Sequence, residues 1–429
     1  MDEDRTPRRK AAAARRLAAL AAALAAACAA DGGAAGDGAG GRGPDAGRGR
    51  GGDAAAADGA AGDARPAAAD ASGGGPSSDA GAACAEFAFS VPPMDLAAIA
   101  TIIPIGSLGN YKGGVPIPKT YQTLADRSVA AEVRAPADLT LFRLFHHRNP
   151  DGSYDAGLLL AACGADIDAP VVVELSHVTA YAPRVAALLA DASCDEQPDG
   201  AMDCDWQGDV PVAAGEPLGA AGGPTATSAN ALDFGVTDRR APPADLIGSP
   251  EFWKGLEYAR CPYDYFGDEA LRAGYDELLA RGGAREPRCG TLELGVVGAL
   301  QGPWFSAEVG VDAARINQTP VVGFYPAVEN ASREAINAFF GWDASLLAYY
   351  EAEHGGRRNR AAAEVVPGPD LYCYDDLKAH PLTDDPLPGH ALVRVDSAGQ
   401  MWFEYVPDGP CPANLDAASL SPAAAAFVR

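Results

Sequence analysis

Two side chains carry most of the chemistry on offer in this sequence. His177 ends the apolar run V-V-V-E-L-S-H, and Asp233 sits inside A-L-D-F-G-V-T-D. A histidine can serve as a general base, because imidazole exchanges its proton near neutral pH. A carboxylate in a cleft can hold a cationic or hydroxylated ligand. Both residue types also bind metals, but a hydrolytic zinc site needs three protein donors and an open position for water. Each candidate also has a plain structural role: a hydrogen-bonded histidine at a strand end, and the polar outward residue of an alternating strand.

The other candidates are weaker. His146 and His147 are adjacent, so a strand turns them to opposite faces. His354, His380 and His390 fall in polar segments without ligand spacing. The acidic stretch Asp195 to Asp205 lacks the D-x-D-x-D-G spacing of a calcium loop and reads as a solvated loop between Cys194 and Cys204. Trp253, Tyr263, Tyr265, Phe266, Trp304 and Phe305 could line a sugar-stacking groove, but aromatics beside Cys and Pro read first as core. Asn317 and Asn330 lie in sequons. No phosphate-binding loop or nucleophile elbow occurs.

The element that must position these groups is Val210 to Asp238. It reads as a short strand, a tight turn at Ala214-Gly215, a second short strand ending at Gly219, a polar loop and a third strand. Alternation in that third strand puts Leu232, Phe234 and Val236 on one face and Asp233 on the other.

The pattern V-x-x-G-x-x-L-G followed by an x-L-x-F strand resembles the cell-wall endopeptidases of the lysostaphin type. V-R-A-P-A-D-L-T-L (Val133 to Leu141) resembles that family's hairpin, and V-V-V-E-L-S-H-V (Val171 to Val178) its histidine-bearing strand. The resemblance implies a barrel-sandwich hybrid core and makes His177 the counterpart of a site histidine. It also implies zinc on a His-x-His strand, where this chain has Ala231 and Asp233. Where that family has its upstream ligands, before Val133, the matching stretch P-I-P-K-T-Y-Q-T-L-A-D offers Lys119 and Tyr121 and no histidine. An ammonium repels a metal ion, so the resemblance implies a scaffold that has lost its metal. C-P-Y-D-Y-F and Q-G-P-W-F resemble segments of a group of uncharacterised exported bacterial proteins with this core.

Composition sets the bounds. The chain has 429 residues and a formal net charge of −25. That acidity disfavours nucleic acid and anionic lipid surfaces as partners. A basic start (Arg5, Arg8, Arg9, Lys10, Arg15, Arg16) precedes the apolar run Leu17 to Ala27 and Cys28, the pattern of a lipoprotein-type signal peptide over 1–28. Residues 29–82, almost all Ala, Gly, Asp and Arg, cannot bury enough apolar surface to fold and read as a tether. Of nine cysteines, Cys28 is the lipidation candidate. The other eight, Cys84, Cys163, Cys194, Cys204, Cys261, Cys289, Cys373 and Cys411, imply disulfides in an exported chain. Cys194–Cys204 is the expected local bridge, and Cys373–Cys411 would staple the last β unit.

Short Val- and Leu-rich runs punctuated by Gly, Pro and Asp predict a mainly β fold with helical insertions. The expected division is an endopeptidase-like β core over 83–240 and an α+β extension over 241–429 packed on that core. Helices are expected at Val185–Ala192, Pro250–Tyr258, Asp268–Ala280 and in A-S-L-L-A-Y-Y-E-A-E near residue 350. Strands are expected from Cys289 onward and in the pair H-A-L-V-R-V-D and Q-M-W-F-E-Y-V. The expected function is that of an exported, lipid-anchored envelope protein with a non-catalytic peptidase-like domain. It would bind a cell-wall glycan, a peptide or a protein partner through Lys119, Tyr121, His177 and Asp233. The alternatives are a zinc-dependent peptidoglycan endopeptidase with a rearranged metal site and a disulfide-rich surface protein without a small-molecule site. No cofactor is expected outside the zinc alternative.

Overall fold

The computed structural model describes residues 84, 86–108, 116–223, 231–311, 319–340, 345–379 and 384–429. Cys28, the signal-like segment, the tether, Asn317 and His380 lie outside the described residues. The fold is mainly β, in two antiparallel sheets. Sheet one contains β1 (Ile99–Ile103), β2 (Thr120–Leu124), β3 (Ala131–Arg134), β4 (Leu139–Arg148), β5 (Tyr154–Ala162) and β6 (Val171–Tyr181). It continues with β7 (Ser193–Glu196), β8 (Met202–Val212), β9 (Pro217–Ala221), β10 (Ala231–Asp238) and β11 (Ala259–Arg260). Its main path runs β1-β2-β10-β6-β5-β4-β8-β7.

One strand gives the sheet its shape. Val171 to Ser176 of β6 pair with β10 on one side, but Val178 to Tyr181 pair with β9. β9 in turn pairs with β3, so this short arm peels away from the main path. The apolar core fills the space between: Val133 from β3, Leu218 from β9, Leu158 and Leu160 from β5, Val173 and Leu175 from β6, and Leu232, Phe234 and Val236 from β10. Alternation explains the set, since each strand sends every second residue inward. The Val133–Leu141 stretch is not a paired hairpin, because β3 bonds to β9 while β4 bonds to β5 and β8. Its A-P-A-D link packs instead on the Ala214-Gly215 turn, with hydrogen bonds from Ala135 N to Glu216 O and from Gly215 N to Ala135 O.

The first helix, α1 (Pro183–Leu188), is short and continues as a 3-10 turn to Asp191. The second, α2 (Glu269–Arg281), starts at the Asp268 side chain, which caps the N–H groups of Ala270 and Leu271. Tyr275, Leu278 and Leu279 lie on one α2 face and enter the core of sheet one. The helix ends against β1, where Arg281 donates to Ala100 O and Thr101 Oγ1 donates to Leu278 O. Residues from Cys261 to Cys289, which fall in the expected extension, therefore pack on the first core.

Sheet two contains β12 (Gly302–Ser306), β13 (Val321–Pro326), β14 (Arg333–Phe339), β15 (Ser345–Glu351), β16 (Tyr372–Tyr374), β17 (His390–Ser397), β18 (Gln400–Val406) and β19 (Ala425–Val428). Its order is β15-β14-β13-β12-β19-β18-β17-β16. Tyr349 of β15 exchanges backbone hydrogen bonds with Lys378, just beyond β16, so the sheet nearly closes into a barrel. Trp304, Phe324, Tyr350, Tyr374, Met401, Phe403 and Phe427 fill its interior.

Three local expectations are corrected. The piece near residue 350 is strand β15, with Leu346, Ala348 and Tyr350 alternating inward. Its helix-like apolar density is that of one wall of a barrel. Pro250–Tyr258 keeps only the 3-10 turn Leu256–Tyr258, because Gly255 adopts φ +85° and interrupts it. Phe252 and Trp253 are spent instead on an apolar cluster with Ile105, Phe305, Val321 and Phe339, where the two sheets meet. The stretch from Cys289 to Gln301 forms no strand. Gly290 and Gly298 take positive φ there, and leucines 292, 294 and 300 are buried one by one.

All eight cysteines pair as Cys84–Cys163, Cys194–Cys204, Cys261–Cys289 and Cys373–Cys411. Cys194 and Cys204 are direct cross-strand partners in the β7–β8 hairpin. This set of bridges fits an exported, non-cytoplasmic protein. Among the described residues, no helix is long and apolar enough to cross a membrane.

Candidate functional site

The face of sheet one opposite its core carries the candidate site. Residues in register across it run Tyr121, Asp233, Ser176, Gly157, Phe145 and Asp205, from β2 to β8. At Gly157 the neighbours close in, since a Cβ there would come within 3.1 Å of Ser176 Oγ. The four residues expected to form the site, Lys119, Tyr121, His177 and Asp233, do come together here.

His177 reaches this face through an irregularity. Ala156 pairs with Val178 and Gly157 with Ser176, so His177 is an extra residue, a β-bulge at φ +66°. Leu175 and Val178 both remain in the core. Strict alternation from Leu175 would have sent His177 inward as well. The bulge turns it over to Asp233, at the point where β6 changes partner from β10 to β9. A non-glycine residue in this conformation costs of order 1–3 kcal/mol, so the surroundings must hold it.

Its surroundings are two carboxylates. His177 Nδ1 lies 2.9 Å from Asp155 Oδ2, and Nε2 lies 3.4 Å from Asp233 Oδ1. The Tyr121 ring lies 6.1 Å away between centroids. Burial opposes a charge on the imidazole, but Asp233 and Asp155 outweigh it and hold the pKa at about 9. His177 is therefore charged at neutral pH and cannot accept a proton.

Asp233 is 1% exposed, although alternation in its strand suggests a solvent-facing residue. Its Oδ2 lies 2.8 Å from Lys119 Nζ, and the same ammonium lies 2.5 Å from Glu174 Oε1. Ser176 Oγ donates to that Glu174 oxygen at 2.8 Å. Burial raises the Asp233 carboxyl above the ordinary carboxylate range, while Lys119 and His177 pull it back. Gly235 gives Lys119 its path across β10, since a Cβ there would sit 3.1 Å from Lys119 Cβ. The result is one chain of alternating charge: Asp155, His177, Asp233, Lys119, Glu174. Removing any inner member would leave a buried charge without its partner, which is strongly unfavourable.

Zinc does not fit this set. The ammonium already stands between the two carboxylates a cation would use. Among the described residues, no three of His, Cys, Asp and Glu are grouped to hold a metal ion.

Asp155 and Glu174 are site members that sequence reasoning passed over. Glu174 had a signal, as a lone acid inside the apolar run of β6. Asp155 had only its position, one residue from the core-facing Ala156. The remaining candidates go elsewhere. His146 contacts the Tyr181 hydroxyl at 3.0 Å, and His147 lies 2.5 Å from Asp203. His354 pairs with Glu364. His390, expected in a polar loop, is buried in β17 with Nδ1 3.0 Å from Gly409 O. Trp253, Tyr263, Phe266, Trp304 and Phe305 are core, and Tyr265 packs on the core with its hydroxyl on Asp238.

The elevated His177 pKa makes stability pH-dependent. A group whose folded pKa exceeds its ordinary 6.5 stabilises fully below that value and loses the contribution as pH rises toward 9. At 1.36 kcal/mol per unit, the loss amounts to about 3 kcal/mol. Urea unfolding at pH 6 and at pH 9.5 should show that extra loss in the native protein and not in His177→Gln. Equal losses in the two proteins would contradict the assignment. The buried ammonium makes a second expectation. Lys119→Met should cost about 3–5 kcal/mol, and Lys119→Met with Asp233→Leu and Glu174→Gln should recover much of it. A harmless single substitution would mean that the charge chain is not coupled. Against known proteins, no family model, curated protein or solved structure matches this chain, so its function is read from the geometry.

Proposed function

We propose that this chain is an exported protein of the cell envelope, anchored by lipid on Cys28, whose peptidase-like first sheet binds without catalysing. Its ligand would be a cell-wall glycan or peptide, or a protein partner of the envelope. The observation that supports this reading most directly is the Lys119 ammonium bridging Asp233 and Glu174, beside a His177 held in its charged form. A hydrolytic site needs a base that can take a proton or a metal that can activate water. Here the positions that would supply either are occupied by each other. The four disulfides agree with export.

A charge chain of three carboxylates and two cations still recognises ligands. The parts nearest solvent are Glu174, with a side chain 31% exposed, His177 at 18% and Asp155 at 14%, with Tyr121 alongside. They present carboxylate acceptors and, in Tyr121, an aromatic ring. That combination suits a ligand bearing hydroxyl or amide groups.

The binding test is titration calorimetry of the full chain with muropeptides, glycan oligomers and peptidoglycan stem peptides. Saturable binding weakened at least tenfold by Tyr121→Ala is expected. The absence of any probe whose binding is weakened by Tyr121→Ala would overturn the reading. So would stoichiometric zinc in the purified protein that is lost in both His177→Ala and Asp233→Ala, which would favour the zinc endopeptidase. For the anchor, palmitate labelling in a bacterial host should disappear in Cys28→Ser; label that persists in the variant would refute lipidation at that residue.

A further inference from the structure

We propose that the outer face of sheet two carries a separate binding site for a neutral saccharide, built around Trp402. The barrel interior takes Met401, Phe403 and Tyr405 from β18, and Ala391, Val393 and Val395 from β17. Trp402 and its cross-strand partner Arg394 therefore point outward. Trp206, Trp253 and Trp304 are all buried, whereas Trp402 is only partly covered. A large aromatic side chain kept at the surface gives up burial that would otherwise stabilise the fold, and interaction sites are where such residues concentrate.

Trp402 lies in a concavity, not on a bare surface. A cavity of about 350 Å³ opens beside it, within the range of small-ligand sites. Arg394 and Trp402 form its floor. One wall is Pro369 and Leu371, in a loop held to β17 by the Gly368 N–H on Val395 O at 2.9 Å. The other wall is Leu420 and Pro422, in a segment tied down at Ser421. Ser421 N donates to Glu404 Oε2 at 2.7 Å, and Ser421 Oγ donates to Glu404 Oε1. Cys373–Cys411 fastens the start of that same segment to β16. Both walls are fixed by hydrogen bonds to strands of sheet two, so the site is preorganised.

The chemistry of the floor selects the ligand. Trp402 Nε1 donates to Asp396 Oδ2 at 2.9 Å, which pins the indole plane. Arg394 Nε donates to Asp396 Oδ1 at 2.7 Å. This leaves an apolar ring face flanked by a guanidinium and a carboxylate whose charges cancel. A pyranose has the complementary form: a C–H face that packs on an indole, and equatorial hydroxyls that donate to a carboxylate and accept from a guanidinium. Neutral sugar is favoured over uronate or sulfated glycan. With the local charges cancelled, a chain with a net charge of −25 still disfavours an anion.

The test is titration calorimetry, with intrinsic tryptophan fluorescence, on the full chain. The probes are chitotetraose and cellotetraose, with tetragalacturonate as the anionic control. Saturable binding of at least one neutral tetrasaccharide is expected. Its affinity should fall at least tenfold in Trp402→Ala and severalfold in Arg394→Gln, an exposed change that leaves the core untouched. Tyr121→Ala should leave it unchanged, which separates this site from the one on sheet one. Failure of both neutral probes to bind, a preference for tetragalacturonate, or binding indifferent to both Trp402→Ala and Arg394→Gln would overturn the proposal.

Discussion

The constraint on which the site depends is the cost of taking charge out of water. Asp233 is almost wholly enclosed, and an isolated carboxylate there would be untenable. Lys119 meets it at 2.8 Å, and every other local choice follows from keeping that ammonium in place. Glu174 is there for its second contact, Gly235 for its path, and the bulge at His177 for the far side of Asp233. Attraction in such a pair roughly offsets desolvation and seldom adds net stability. What it adds is arrangement: few other placements of β2, β6 and β10 would leave no charge stranded.

The split of β6 belongs to the same logic. A strand that changes partner midway must interrupt its ladder somewhere, and the interruption falls at His177. The residue that the ladder cannot pair is the one whose side chain is turned to the polar face. Fold and site thus share a single irregularity. On the second sheet the division of labour is different. The barrel interior is regular and apolar, and the polar features sit on its outside, beneath a disulfide-fastened segment.

Period-two patterns were legible in the sequence. Leu232, Phe234 and Val236 declared the core face of β10, and the turn at Ala214-Gly215 declared the β8–β9 connection. The helix α2 announced itself through Asp268 and its Tyr275 and Leu278 stripe. Proximity of Lys119, Tyr121, His177 and Asp233 came from an ordering of motifs and not from any local signal. What alternation could not reveal was two-sided burial. It marks Asp233 as facing away from the core, and says nothing about whether that side meets water. Nor could it reveal the bulge, which is a property of two strands in register and invisible in either alone. The misread segment near residue 350 shows the converse limit. Dense apolar sequence looks helical when both faces of a strand are covered, and Tyr349 and Tyr350 are both buried.

The two sheets also differ in how they finish. At one end of sheet one, α2 lies against β1 and spends its Arg281 side chain on a strand carbonyl. At the other end, β7 is only four residues long, fully exposed and acidic, and is cross-linked to its neighbour through Cys194. Sheet two brings its own ends together through Tyr349 and Lys378. Unpaired strand edges are templates on which identical chains add to one another and aggregate. Here β1 is covered by α2, the four residues of β7 are charged and fastened, and the ends of sheet two face each other. Beyond β7, residues 206–212 of β8 bond to β4 on one side only and are largely exposed, so that half-strand is the edge a second copy could extend.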